Sequence, residues 1–176
     1  SRITTDRNTA AHFERTSDLA ATIRGLAPTV DPDEARQVAE ATMVLALDLA
    51  NEYQLTKPPI AHNVLVNMGM RPRGLCTHWA EDVLRHLDGL DLATLDLYWA
   101  VAYPTRPFRL EHSGALVTAR GQPFETGIVL DAWRDSGIVY FGPVTDDTRY
   151  AWQRLHNTIT DPPPDGAVVP PESLYD

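Results

Sequence analysis

The apolar residues of this 176-residue chain change period once, near Asp91. Before that point they recur at three- and four-residue steps, the spacing of helices that bury one face. After it, Leu95, Leu97, Trp99, Val101 and Tyr103 alternate with smaller or polar residues, as a half-buried strand requires. The change predicts an α+β domain, with a helical N-terminal half packed on an antiparallel β-sheet.

Punctuation sets the elements. Phe13, Ala20, Ile23 and Leu26 stand at helical spacing and Pro28 follows as a stop, which predicts a helix over 9–25. Asp31 as N-cap, Pro32 at the first helical position and Glu34 three residues after the cap predict a second helix over 33–55. Val38, Leu45, Leu49 and Tyr53 make one stripe on it, and Met43, Leu47 and Ala50 a second, so it should pack on two sides. Lys57-Pro58-Pro59 ends it, a short helix over 60–68 closes at Gly69, and Arg71-Pro72-Arg73-Gly74 leads to Cys76. From there Cys76, Trp79, Ala80, Val83, Leu84 and Leu87 form a stripe that ends at Gly89.

Strands are expected near 95–103, 110–119, 126–133 and 137–141. Gly121-Gln122-Pro123 and Asp135-Ser136-Gly137 are turns short enough to imply an antiparallel meander. An amphipathic piece over 150–157 precedes a tail with Pro162, Pro163, Pro164, Pro170 and Pro171, which should be extended and lie on the surface. The organisation read from this is one domain, 1–160, and a Pro-rich tail, 161–176.

Net charge of −9 without a basic run makes nucleic acid a poor partner, because binding a phosphate backbone needs a cationic face. The apolar stretch 42–50 is far shorter than the ~20 residues a membrane span takes. The sequence starts at Ser1 without an initiator Met, which is consistent with N-terminal trimming and leaves periplasm, cell envelope and cytoplasm all open.

Cys76 is the one cysteine, so it has no partner for an internal disulfide. Lone cysteines are commonly small buried apolar residues. This one falls in the first turn of a predicted helix, where the helix dipole favours the thiolate, the form that acts as nucleophile. His112 lies in a strand-like run, and imidazole is the side chain suited to accept a proton near neutral pH. Gly114 leaves room beside it. Asp131 interrupts the run Ile128 to Trp133, where an unpaired carboxylate would be costly, and His112 one hairpin earlier is the expected partner. Asp135, ahead of Ser136-Gly137, reads more simply as a turn residue.

The order Cys76, His112, Asp131 resembles the transglutaminase-like branch of the papain-like cysteine enzymes, over about residues 60 to 142. Members carry the Cys at the start of a helix packed on an antiparallel sheet, with His and Asp on adjacent strands. Their frequent Gly-x-Cys-x-x-x-Ala pattern is met by Gly74-Leu75-Cys76-Thr77-His78-Trp79-Ala80. Many members show an aromatic and an acidic residue after the His, where this chain has Ser113-Gly114-Ala115, and Pro or Thr after the Asp, where it has Ala132-Trp133. The substrate side of the cleft is therefore undefined.

The resemblance implies a papain-like, transglutaminase-like fold and a cysteine hydrolase acting on a peptide or isopeptide bond through a thioester. A peptide or protein substrate would be the partner, and no cofactor is expected. Arg73-Gly74 also resembles arylamine acetyltransferases of the same superfamily, so acyl transfer to an amine stays open, as does an inactive binding or scaffolding domain. An oxyanion hole would combine the backbone N–H of Cys76 with a side-chain amide, for which Asn67 and Asn63 are the candidates. No metal site is expected: Cys76 and His78, two residues apart, project from nearly opposite sides of a helix. Trp79, Trp99, Trp133 and Trp152 are expected in the core, with an aromatic cleft as the alternative.

Overall fold

Four helices precede five strands in this computed structural model, which describes residues 2–53, 59–70, 73–103 and 111–156. The helices are α1 (Arg2–Arg24), α2 (Pro32–Glu52), α3 (Pro59–Asn67) and α4 (Cys76–Asp88). The strands are β1 (Leu95–Ala102), β2 (His112–Ala119), β3 (Ile128–Asp135), β4 (Ile138–Pro143) and β5 (Trp152–His156), with a 3₁₀ turn at Phe124–Thr126. They form one antiparallel sheet in the order β4-β3-β2-β1-β5. The expected α+β architecture is what the chain adopts. The Pro-rich tail, 161–176, lies outside the described residues.

The start of α2 follows its sequence signals in part. The Asp31 carboxylate accepts from the Asp33 backbone N–H at 2.8 Å, and Pro32 occupies the first turn. Glu34 does not close a capping box. Its carboxylate accepts instead from the backbone N–H groups of Ala93 and Thr94 and from the Thr94 hydroxyl, while Asp31 N donates to Thr94 Oγ1 at 3.0 Å. The first turn of α2 thus fastens the loop that delivers β1. These donors hold the Glu34 carboxyl below its usual range, against the opposing effect of partial burial.

Helix α4 joins the two halves, resting on β1, β2 and β3 with α2 against its other side and α1 packed on α2. One cluster joins Leu19, Ile23, Val38, Met43, Trp79, Leu84 and Leu87 to Leu97, Trp99, Val117 and Leu130 of the sheet. Trp79 meets Tyr53 edge-on, ring centroids 5.0 Å apart. The opposite sheet face carries a smaller cluster of Tyr98, Ala100, Leu116, Phe124 and Val144, with Trp152 against it. The expected α1 stripe holds at Ile23 and fails at Phe13, which is 72% exposed; Leu47, in the second stripe of α2, is also largely exposed. Periodicity fixes which residues share a face, not whether that face has a neighbour.

β5 is an edge strand paired to β1, with Ala102 opposite Trp152. Because β4 and β5 occupy opposite edges, the connection between them crosses the sheet over the face turned away from α4. The β3–β4 hairpin closes through Ser136 and Gly137, both at positive φ (54° and 95°), a two-residue type I′ loop. A Cβ at Gly137 would lie 3.0 Å from Ala50 Cβ and 3.2 Å from the Ala46 carbonyl of α2.

Gly137→Ala is therefore expected to destabilise the fold by about 2 kcal/mol in urea unfolding. Gly121→Ala, at φ 74° with open space around the added carbon, should cost about half as much. Equal losses would show that contact with α2 adds nothing to the backbone strain.

Candidate active site

Two glycine and histidine contacts fix where α4 begins. Gly74 has φ 124°, and a Cβ there would come 2.2 Å from His62 Nε2, which is itself 2.8 Å from the Arg73 carbonyl oxygen. His78, in the first turn, turns its Nδ1 back to accept from the backbone N–H groups of Gly74 at 3.0 Å and Leu75 at 3.2 Å. This is the back-bonding that Glu or Gln provides in a capping box, here supplied by a buried imidazole. Arg73 is held by Asp82 at 2.9 Å and Glu81 at 3.2 Å, and the Tyr53 hydroxyl donates to Asp82. Burial and the Asp82 carboxylate both push the Tyr53 phenol up, so it stays a donor.

The loop so anchored places Cys76 at the first position of α4, 2% exposed and packed beside Val66 and Trp133. Its sulfur lies 3.8 Å from the Glu111 carbonyl oxygen. His112 follows Glu111 as the first residue of β2, at the sheet end where α4 starts. The residue is 2% exposed and its ring sits among Tyr150 (centroids 4.3 Å), Trp133 (4.8 Å) and Trp152 (5.2 Å). The room that Gly114 leaves is taken by Trp152, since a Cβ there would stand 3.2 Å from Trp152 Cη2.

Asp131 meets His112 as expected, with Nε2 to Oδ2 at 2.7 Å and both side chains buried. Regular strand alternation stops there. Pairing of β3 with β4 is irregular between Asp131 and Asp135, and the backbone N–H groups of Trp133 and Arg134 turn back to Asp131 Oδ1 at 3.1 and 3.2 Å. The irregularity brings Arg134 round so that its Nε donates to Asp131 Oδ2 at 2.9 Å. The far side of the guanidinium is held by Asp147, 2.6 Å from Nη2, and it stacks over Tyr140 at 3.7 Å. Asp147 also accepts from Trp152 Nε1 at 2.8 Å.

Desolvation alone would lower the His112 pKa and raise that of Asp131. The opposite outcome holds for both, because the pair's mutual attraction and hydrogen bond outweigh burial. Asp131 stays well below the usual carboxylate range, with Arg134 assisting, and His112 is held up to about 9 by Asp131 and, after it, by Cys76. The sulfur acts on the ring although, among the described residues, Nδ1 makes no hydrogen bond of ordinary geometry.

Of the amide candidates, Asn63 reaches the edge of this group: its Oδ1 accepts from Trp133 Nε1 at 3.3 Å. Asn67, one turn on, is exposed at the end of α3. Trp79 and Trp99 belong to the core, whereas Trp133 and Trp152 flank His112. The sequence reading missed Arg134, Asp147 and Tyr150. Arginine three residues after the buried Asp131 was the available signal; Asp147 and Tyr150 carried none, being brought in by the sheet crossing. Comparison with protein-family models, curated proteins and solved structures finds no match for the chain.

The two shifts fix how stability depends on pH. A raised His112 contributes stability that is complete below its unfolded pKa of about 6.5 and is lost as pH rises through 9. A depressed Asp131 contributes stability that is present above about 3.9 and is lost as pH falls through its folded value. Urea unfolding should therefore show stability falling by about 3 kcal/mol between roughly pH 6.5 and 9, and His112→Gln should flatten that slope. A wild-type slope unchanged by the substitution would assign the loss to other groups.

Proposed function

We propose that the chain is a cysteine hydrolase of papain-like architecture, close to the transglutaminase-like branch, that cleaves a peptide or isopeptide amide bond through a thioester acyl-enzyme. The observation carrying this reading is the buried His112–Asp131 pair at 2.7 Å with the thiol of Cys76, in the first turn of α4, close enough to act on the imidazole. A nucleophile, a base and a residue that orients the base are the parts that covalent acyl transfer needs.

In the proposed reaction the thiol proton already rests on Nδ1 of His112, completing the imidazolium that persists below about pH 9, and the sulfur attacks the amide carbonyl carbon. The tetrahedral centre collapses with loss of the C–N bond, and the leaving amine takes the proton from Nδ1. Water then gives a proton to Nδ1 as it attacks the thioester, and the C–S bond breaks to release the acid and restore the thiol. The backbone N–H of Cys76, with the amide of Asn63 or Asn67, would receive the oxyanion. Asp131 stays ionised throughout and keeps Nε2 protonated. If an amine rather than water resolves the thioester, the same steps give an acyltransferase.

One observation favours a different class. Cys76 keeps 2% of its surface exposed, as a core residue would, and a binding or scaffolding domain could use the same three residues to hold its sheet together.

Hydrolysis of amide, isopeptide and thioester donors by the wild type, Cys76→Ala and His112→Gln tests the reading. Either substitution should lower turnover by at least ~10³-fold, and the wild-type profile should fall on the alkaline side near pH 9, where the imidazolium loses its proton. Partition of product between water and added amine separates hydrolase from acyltransferase. If no donor is turned over, and iodoacetamide labels Cys76 as fast in His112→Gln as in wild type, the binding domain is the better account.

A further inference from the structure

The lone pairs of Asp131 are all in use. Each carboxylate oxygen offers about two acceptor sites. Oδ1 accepts from the backbone N–H groups of Trp133 and Arg134, and Oδ2 from Arg134 Nε at 2.9 Å and His112 Nε2 at 2.7 Å. A protonated carboxyl would put its hydrogen against one of these donors. The acid stays ionised, and the ring nitrogen facing it must carry its own hydrogen.

We infer that Arg134 and Asp147 are positioning residues of this site: Asp147 holds the guanidinium, the guanidinium fills the second acceptor site of Asp131 Oδ2, and the imidazole is locked as the Nε2–H form with Nδ1 as the atom that exchanges protons. The four side chains form a line of alternating charge, Asp147, Arg134, Asp131 and His112, with side-chain exposures of 2%, 6%, 0% and 3%. Little water reaches them, so each charge acts on the next through a poorly screening medium.

The alternation gives each member a sign. Neutralising Asp147 leaves Arg134 less compensated, which disfavours the imidazolium beyond it. Neutralising Arg134 removes a repelling cation and frees Asp131 to pull harder on the ring, which favours the imidazolium. Among the described residues, the ionisable groups nearest the ring outside this line include Cys76 from α4, Tyr150 from the β4–β5 connection with Arg149 over its ring, and Glu111 just ahead of His112. Burial raises the pKa of both Tyr150 and Glu111, which keeps the Tyr150 phenol neutral through the His112 titration and moves the Glu111 carboxyl up from the acid side, so the ring's own ¹⁵N signal is what separates them.

As a claim about catalysis this rests on the hydrolase reading; as a claim about the ring it does not. The experiment is ¹⁵N-detected titration of the histidine rings of the folded chain, His112 assigned by its loss in His112→Gln, in wild type, Arg134→Met and Asp147→Asn. In wild type the neutral ring above pH 9 should be the Nε2–H tautomer. Arg134→Met should raise the His112 midpoint and Asp147→Asn should lower it, each on the order of one pH unit. A residue that only supports the fold would move both midpoints the same way or neither.

An Nδ1–H tautomer in wild type, or midpoints that shift together, would overturn the inference. Should Arg134→Met not fold, the wild-type tautomer and Arg134→Lys decide it: lysine keeps the charge and should leave the midpoint within about 0.3 unit. A chain that shows these titrations without hydrolysing any donor would retire the enzyme reading and leave the positioning role intact.

Discussion

A carboxylate buried inside a sheet governs the second half of this molecule. Asp131 is 1% exposed, and an unpaired charge at that depth would cost more than the margin by which small domains are stable. Its acceptors are filled by two backbone N–H groups, an arginine and a histidine, and each demand shapes something else. The backbone pair requires the break in β3 register, the break brings Arg134 round, and Arg134 in turn needs a second carboxylate. That carboxylate arrives on the β4–β5 connection, so the irregular strand, the sheet crossing and the seat of the last strand all meet at one buried charge.

The helical half meets this arrangement at the start of α4 and, through Asn63 and Val66, along α3. α4 must begin with its first residue against the sheet end, and the contacts of Gly74, His62 and His78 leave little freedom in how it does so. Backbone constraint thereby sets where the thiol stands relative to the imidazole. The core beneath, built around Trp79, Leu84 and Leu87, keeps the helix at its height above the sheet.

Much of this was legible in the sequence, for identifiable reasons. Cys76, His112 and Asp131 stood out because each is a chemically able residue set in a pattern that otherwise specifies apolar packing. The helices and the first four strands followed from period and punctuation. Phe13 was misplaced because a stripe does not say which face has a neighbour, and Glu34 because a capping signal cannot compete on paper with a loop 60 residues away. Arg134 and Asp147 were hidden for a different reason. Alternation assumes a regular strand, and the irregularity after Asp131 cancels the rule where it was being applied.

The sheet crossing bears on the order in which the molecule can be completed. β1 is synthesised and can pair with β2 long before β5 exists, yet Asp147, Tyr150 and Trp152, which close around His112, come from the last described stretch of the chain. A nascent chain therefore carries its thiol and its imidazole without the surroundings that hold the ring in one protonation state. The surroundings of Cys76 and His112 are complete only once β5, the last described strand, has docked.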